Sequence, residues 1–593
     1  MSKINQTIRE RLGMKLKRFT TQDIFGDLFI LIGILGLTVA ILFTPFFVEK
    51  YVKANHYITS GGVILLNQYR LFLSFGGLLF LLFGFHLAIE EKLKLTEKNK
   101  YYLAISSVIA ICSLGALIRI YFYIVDRSLW FDEAMLALNI VNRSFAGLLK
   151  PLDWNQGAPI GFLWAEKLAT SILGSKDYIL RLFPLISGLA SIPLIYLVSK
   201  KYVGQLSTFV TLILFVFSSR LIYYSSEAKQ YSTDVLTALI ILLIAPTIFL
   251  EKNKRRSFVL LGIVGVLTTW FSHPSVFVFA GVLLTAGVIY VIKRDLRCLL
   301  WLIGIGLVWG TNLGLDYFVS LRYSANSTFF MDYWKSSFAP LPPWSHIKWY
   351  FNNIASMLND PATLPLNIIT FGMLIIGVIS FALKRWQSMM ILLAPFAMVL
   401  TASALDKYPF SGRLILFLVP FLFLFLAEGI DRFRSVLQRV SRPLAWFFTA
   451  FFVLYFMAQP VIVAYNNIKT PPMGEDIKPV MLYVSENKLS NDMIYVYHGA
   501  VPAYLFYAPS YDGLNGKYIV GILNFQDPNK YLEQINKIGT GHRIWFIFSD
   551  NISRFKVNEQ LYILEYLDKI GRKIDEYDAV GASVYLYELG QIR

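Results

Sequence analysis

Two adjacent carboxylic acids, Asp132 and Glu133, follow closely after a long apolar run. A carboxylate that is partly shielded from water can serve as a general base toward a hydroxyl group. Trp130 and Phe131 would provide that shielding, so we predict that Asp132 is such a base. The structural alternative is that Asp132 caps a helix beginning at Glu133.

A second polar stretch, residues 153–159, lies in the same predicted loop. Asn155 and Gln156 carry both donors and acceptors, which suit the hydroxyl groups of a ligand, and Trp154 offers a flat apolar face. The stretch is also typical of a turn built from Asn, Gly and Pro. Both interpretations remain open.

A third polar stretch, residues 223–234, lies between two apolar runs. Charges at a membrane boundary are unfavourable unless they are paired or functional. Snorkelling would suffice to explain Lys229. It does not explain Glu227 beside Gln230 and Tyr231, so we predict that these four residues bind a ligand.

Two further turns carry residues that could bind a ligand, His273 and Arg413. A histidine in a turn is an ordinary polar residue or a ligand-binding group. Arg413 anchors a helix at the lipid headgroups or binds a phosphate through its guanidinium fork. The sequence has no Walker-type phosphate loop, HExxH motif or Ser/His/Asp signature.

The elements that would position these residues are membrane helices. Apolar residues make up 56% of the 593 residues and charged residues only 16%, which indicates a polytopic α-helical membrane protein. Thirteen apolar runs are long enough to be predicted as spans: 25–47, 70–89, 101–124, 179–199, 206–223, 231–250, 257–272, 274–292, 298–320, 364–383, 387–404, 413–430 and 443–465.

The basic residues predict the orientation of these spans. The predicted inner loops hold 19 Lys and Arg in short stretches, whereas the outer loop at 321–361 holds three in a much longer one. This pattern places the acidic pair outside. It also explains the net charge of +17 by topology, so we predict no nucleic-acid partner.

The chain divides into four predicted parts: a basic cytoplasmic N-terminus at 1–24, an N-terminal hairpin at 25–99, a membrane core at 100–466 and a soluble domain at 467–593. We expect surface helices at Glu133–Leu149 and Ile160–Leu173. For the soluble domain we predict a small extracytoplasmic α/β fold with the following elements: helices at Glu475–Asn487 and Glu559–Ile570, and strands at Met493–Tyr497, Arg543–Phe548 and Ala582–Glu588.

The order of four motifs resembles bacterial GT-C glycosyltransferases of the protein O-mannosyltransferase and aminoarabinose transferase type. These motifs are Trp130-Phe131-Asp132-Glu133-Ala134, Gln156-Gly157-Ala158-Pro159, Leu180-Arg181-Leu182-Phe183-Pro184 and the stretch from Tyr223 to Tyr231. The resemblance is best over about 100–300 and extends to the stretch that ends at Arg413. It is vague in the C-terminal domain.

The resemblance implies a transferase in the bacterial cytoplasmic membrane that takes a sugar from a polyprenyl-phosphate donor. The sugar would pass, with inversion, to a glycan, lipid or protein hydroxyl on the outer face. Asp132 would deprotonate the acceptor, and Glu133 would orient the loop or contact the substrate. Many relatives have His-Pro-Pro where this chain has Gly157-Ala158-Pro159, which puts a histidine role at that point in doubt.

The resemblance also makes the 25–89 hairpin additional to an eleven-span core. A phosphate leaving group needs cationic help rather than a second acid, and Lys229 and Arg413 are the candidates for this role. A divalent metal is compatible with the chemistry, but no ligand cluster requires one. Two alternatives remain: a transporter or flippase of a polyprenyl-linked glycan, and a scaffold whose C-terminal domain binds envelope partners.

Overall fold

The computed structural model describes residues 97–590, with the exception of 252–253, 523–526, 528, 540 and 550–557. The predicted N-terminus at 1–24 and the predicted spans at 25–47 and 70–89 lie outside the described residues. The total of thirteen spans therefore stays a prediction.

The long apolar runs up to residue 469 fold mainly as α-helix, because a backbone in an apolar environment must satisfy its own hydrogen bonds. The helices up to residue 469 are as follows: α1 Glu97–Ile124, α2 Phe131–Asn142, α3 Ile160–Leu173, α4 Asp177–Leu180, α5 Leu182–Tyr202, α6 Gln205–Phe217, α7 Ser219–Tyr224, α8 Tyr231–Ile244, α9 Thr247–Leu250, α10 Lys254–Phe271, α11 Ser275–Ile292, α12 Leu296–Asp316, α13 Arg322–Ala325, α14 Thr328–Tyr333, α15 Ile347–Asn359, α16 Ile368–Lys384, α17 Trp386–Ala404, α18 Val419–Leu437 and α19 Arg442–Lys469.

Every apolar run predicted between residues 101 and 465 lies largely within one of these helices or within two in succession. A π-helix at Tyr317–Leu321 ends the run predicted at 298–320, and a 3₁₀ helix at Gly412–Leu418 begins the run predicted at 413–430. Eight helical segments of the described chain are long and apolar enough to cross a membrane. Two further apolar helices, α6 and α16, are shorter. The predicted class, a polytopic α-helical membrane protein with a small C-terminal α/β domain, is confirmed.

The loop between α1 and α5 differs in one respect from its prediction. The helix expected at Glu133–Leu149 ends at Asn142, and Arg143 is extended. The Arg143 guanidinium donates to the carbonyls of Gly147 and Pro151, at 3.3 and 2.8 Å. These bonds fold the following residues back as a loop, so the helix does not continue. The second surface helix, α3, has the predicted bounds.

Helices α16 and α18 cross with their backbones in contact at two glycines. A Cβ atom at Gly377 would overlap the carbonyl of Phe425, and one at Gly429 would overlap the carbonyl of Met373. Such close approach of small residues is typical of membrane helix pairs. Helix α18 is the most enclosed of the candidate spans and directly follows the segment that carries Arg413.

The C-terminal domain contains a five-stranded sheet in the order β2-β1-β3-β5-β4. Its elements are: α20 Ile477–Asn487, β1 Met493–Val496, α21 Val501–Tyr507, β2 Ile519–Val520, α22 Asn529–Asn536, β3 Arg543–Ser549, α23 Glu559–Ile570, β4 Gly571–Ala579 and β5 Ala582–Leu589. Strands β1, β2 and β3 are parallel, while β5 pairs antiparallel with β3 and β4.

The predicted helices and strands of this domain are present, with ends that differ by at most two residues. Two strands were not predicted. Strand β2 has only two residues, and β4 is a charged strand at the sheet edge, where side chains facing water hide the apolar signal.

We expect Gly377→Ala to lower the apparent melting temperature of the detergent-solubilised protein. The added methyl group would force α16 and α18 apart, and overpacking of this kind costs about 1–3 kcal/mol. Gly372→Ala, in the same helix, is the control, because a Cβ there would meet no atom within 4 Å. Equal melting of the two variants in a fluorescence-detected size-exclusion assay would contradict the close crossing.

Candidate active site

The carboxylate of Asp132 lies among polar groups from three other parts of the chain. Lys229 Nζ is 3.0 Å from its Oδ1 and Arg413 NH2 is 2.7 Å from its Oδ2. Gln156 donates to Oδ1 at 3.1 Å and accepts from Lys229 at 2.7 Å. We call these four residues the Asp132 cluster. The tertiary structure thus brings together four residues singled out from the sequence.

The cluster is shielded but not closed. Side-chain exposure is 17% for Asp132, 5% for Lys229 and 21% for Arg413. The Arg413 guanidinium lies 5.3 Å from the Trp130 ring and 5.5 Å from the Tyr231 ring, within cation–π range. The aromatic residues thus fix the arginine and lower the dielectric around the carboxylate, as the sequence predicted for Trp130.

The cations determine the charge of Asp132. Burial by itself raises the pKa of Asp132, but Lys229 and Arg413 outweigh burial and lower the pKa to about 2. Burial lowers the pKa of Lys229 below its usual range, and the Asp132 charge opposes that effect. Asp132 is therefore ionised at neutral pH and carries an ion pair on each oxygen.

Glu133 has a different environment, although it is the next residue. Its carboxylate accepts from Arg181 at 3.1 and 2.9 Å and from the Ala228 amide at 2.7 Å, and Arg127 lies 3.6 Å away. Burial raises the pKa of Glu133, but the two arginines outweigh burial and lower it. Glu133 has no exposed surface, and its carboxylate joins α2 to Arg181 and to the Ala228 amide.

Glu227 is a second buried acid beside the Asp132 cluster. Trp130 Nε1 donates to its Oε1 at 3.3 Å, and no described residue donates to its Oε2. Burial, the largest cause, and the charge of Glu133 raise the pKa of Glu227 to about 7. Its ionisation therefore changes near neutral pH, which is typical of groups in functional sites.

Three further residues predicted to bind a ligand are Gln230, Tyr231 and His273. Gln230 precedes α8, and its buried Oε1 has no partner among the described residues. Tyr231 is buried beside Arg413. His273 lies between α10 and α11, where burial lowers its pKa to about 4, and its buried Nε2 is unpaired in the described part of the chain.

The structure does not bring Asn155 into the Asp132 cluster. Asn155 is exposed and has a positive φ of 51°, next to Trp154 with a φ of 63°. This is the turn that the composition of the stretch also allowed. Asp153 forms a largely exposed ion pair with Arg143 at 2.7 Å. Ligand binding by Asn155 stays a prediction, while Gln156 reaches the carboxylate.

Arg127 and Arg181 were not singled out for a role from the sequence. Both are buried, and Arg127 also donates to the Tyr223 hydroxyl at 2.8 Å. The signal that could have found them is the position of each arginine beside an apolar run, where an unpaired charge is unfavourable. Within the described residues no group of three His, Cys, Asp or Glu side chains converges as a metal site would require.

Comparison with known proteins agrees with the family resemblance of the motifs. Residues 157–310 match the family described as dolichyl-phosphate-mannose-protein mannosyltransferase. The GT-C resemblance predicted from the motifs is confirmed. No curated protein matches the sequence.

Solved structures of two proteins are similar to this chain. ArnT from Cupriavidus metallidurans in the apo state is 11% identical with a TM-score of 0.49, covering 82% of this chain and 98% of its own. The same protein bound to undecaprenyl phosphate is 10% identical, with a TM-score of 0.49 and coverages of 83% and 98%. The archaeal oligosaccharyltransferase AglB from Archaeoglobus fulgidus, in complex with an inhibitory peptide and a dolichol-phosphate, is 12% identical with a TM-score of 0.46, covering 83% of this chain and 74% of its own.

We expect Glu133→Gln to destabilise the protein strongly. The change leaves the guanidinium of Arg181 buried without its carboxylate partner, and breaking a buried ion pair in this way costs about 3–5 kcal/mol. Asp153→Asn is the control, because Asp153 is 70% exposed and its pair with Arg143 should contribute little. Thermal unfolding of both variants checks this. A melting temperature of Glu133→Gln close to that of Asp153→Asn would show that the pair is dispensable.

Proposed function

We propose that this protein is an inverting glycosyltransferase that moves a sugar from a polyprenyl-phosphate donor to an acceptor hydroxyl on the outer face of the bacterial cytoplasmic membrane. The observation that carries the proposal is the Asp132 cluster, in which one carboxylate lies between two cations at the end of membrane helices. The family match over residues 157–310 supports the class of reaction.

The reaction is a single displacement at the anomeric carbon. The acceptor oxygen attacks this carbon from the face opposite the phosphate, and its proton passes to Asp132. The bond between the anomeric carbon and the phosphate oxygen breaks, and the electron pair leaves with the polyprenyl phosphate. Attack from the opposite face inverts the configuration.

Lys229 and Arg413 stabilise the charge that develops on the leaving phosphate. The donor is a phosphodiester with one negative charge, whereas the departing monoester gains a second. Fixed cations therefore bind the transition state and product more strongly than the donor, which lowers the barrier. Arg413 offers a planar fork for two phosphate oxygens, and Lys229 offers a point charge.

The same two cations control the basicity of Asp132. With both ion pairs intact, its pKa of about 2 makes Asp132 a weak base. A donor phosphate would compete for Lys229 and Arg413 and draw them partly away from the carboxylate. Loss of these charges would raise the pKa of Asp132, so the base would gain strength when the donor is in place.

Asp132→Asn tests the base. We expect kcat to fall by a factor of roughly 10²–10⁴, because the variant cannot accept the proton. Binding of a polyprenyl phosphate should persist, because Lys229 and Arg413 remain. The measurements are turnover with polyprenyl-phosphate hexoses and pentoses and lipid binding by the purified protein.

Asp153→Asn, in the same outer loop, is the matched control for this test. Unchanged product formation by Asp132→Asn would reject the catalytic base. Lipid-linked sugar crossing the membrane of reconstituted vesicles, with no product formed by the wild-type protein, would favour the flippase alternative. Mass spectrometry of envelope glycans with and without the protein would then identify the sugar and acceptor.

Because the pKa of Glu227 is raised to about 7, we expect donor binding to depend on pH. Below its pKa of about 7 this acid is neutral, and above that pH its negative charge repels the donor phosphate. The KM for the donor should rise through this range by roughly fivefold, equivalent to about 1 kcal/mol of repulsion. Glu227→Gln should keep a low and constant KM between pH 6 and about 8. The same rise in the variant would assign the titration to another group.

A further inference from the structure

The segment 126–131, which leads directly to Asp132, is bound by the C-terminal domain. Lys478 donates from Nζ to the Asp126 carbonyl at 2.6 Å and to its carboxylate at 3.1 Å. At the other end of the segment, the Phe131 amide donates to the Glu475 carboxylate at 2.8 Å. The domain therefore contacts both ends of a segment that is remote in sequence.

The middle of the segment is also bound. The Ser128 hydroxyl donates to Asp476 at 2.5 Å and accepts from the Lys478 amide at 3.1 Å. The Leu129 amide donates to the Tyr507 hydroxyl at 2.8 Å. Residues 126, 128, 129 and 131 each have a partner in the C-terminal domain.

The opposite side of the segment faces the membrane core. Arg181 donates to the carbonyls of Arg127 and Ser128 at 2.6 and 3.2 Å, and the same arginine binds Glu133. Asp177 connects the two sides, because it accepts from Lys478 at 2.9 Å and from Tyr507 at 2.7 Å. The segment thus lies between the core and the domain, and its backbone groups are shared between them.

Glu475 also fulfils a local requirement of helix α2. The residue before this helix is Trp130, whose side chain makes no capping hydrogen bond. The first amides of a helix need acceptors, and a negative charge at this end is favourable. Glu475, from the C-terminal domain, supplies an acceptor and a negative charge to the amide of Phe131, the residue that precedes Asp132.

Apolar packing joins the same two parts. Leu129, Ala134 and Ile140 belong to one buried core with residues of α20 and α21, among them Val480 and Tyr504. Burial of apolar side chains in a shared core gives the contact a stabilising contribution that polar bonds at a surface lack. Residues 129–140 and the C-terminal domain therefore form one packed unit.

We propose that the C-terminal domain positions the catalytic base: Glu475 and Lys478 hold residues 126–131 so that Asp132 faces Lys229 and Arg413. Both are positioning residues, since their contacts are with the segment that carries the base. This inference rests on the proposed function. It assigns the domain a part in catalysis that depends on neither the sugar nor the acceptor.

The inference predicts a separation between turnover and donor binding. Lys229 and Arg413 lie outside the segment, just before α8 and just before α18, so loosening the segment displaces the base more than the two cations. A misplacement of the base by about 1 Å can cost up to roughly 100-fold in rate. Glu475→Ala and Lys478→Met should therefore lower kcat by roughly 10- to 100-fold while the KM for the donor changes little.

The experiment measures hydrogen exchange of peptides that cover residues 126–135 in the full-length protein, together with kcat and KM. Glu475→Ala removes the acceptor of the Phe131 amide, and Lys478→Met removes the donor to the Asp126 carbonyl. Both variants should therefore speed hydrogen exchange in this segment by at least about tenfold. Glu475→Gln and Lys478→Arg keep an acceptor and a donor, so they should restore much of the exchange protection and kcat.

Glu576→Ala and Lys573→Met, which remove a surface pair of β4, are the matched controls and should leave both quantities unchanged. Wild-type exchange rates in Glu475→Ala and Lys478→Met, or faster exchange with unaltered kcat, would overturn the positioning role. Faster exchange in these variants, with no transferase activity in any protein including the wild type, would instead reject the proposed function and leave the physical contact established.

Discussion

The buried ion pair between Glu133 and Arg181 is the interaction on which the rest of the site depends. A carboxylate and a guanidinium removed from water are stable only when both find full sets of partners. Here Arg181 comes from the turn before α5, and the carboxylate also accepts the Ala228 amide. One buried charge therefore fixes three chain segments relative to one another, and the adjacent Asp132 is fixed with them.

The position of Lys229 follows from that arrangement. Ala228 is bound to Glu133, so the next residue along the chain is placed beside Asp132. Arg413 completes the site from the segment before α18, whose close contact with α16 at Gly377 and Gly429 sets its place in the bundle. The packing of membrane helices thus determines which cations meet the carboxylate.

The C-terminal domain closes the arrangement from the other side. A loop of six residues with one positive φ, at Asp126, has little regular structure of its own. Its amides and carbonyls must find partners because its middle residues, 127–129, are buried. Arg181 donates to two of its carbonyls, while the domain donates to the Asp126 carbonyl and accepts from two of its amides, so neither side alone satisfies the loop.

The sequence by itself determined the membrane class, the positions of the core helices and the residues of the Asp132 cluster. Apolar length and the distribution of Lys and Arg carry that information, because the bilayer imposes both directly. The four cluster residues could be named because a polar group beside an apolar run is costly without a role.

Only the tertiary structure decided which partners the neighbours Asp132 and Glu133 have, because side chains of adjacent helical residues point about 100° apart. It also separated Gln156, which reaches Asp132, from Asn155, which is exposed in a turn. The contact of Glu475 with Phe131 joins residues 344 positions apart. Such a contact leaves no periodic pattern in the sequence, since it depends on how separately folded elements meet.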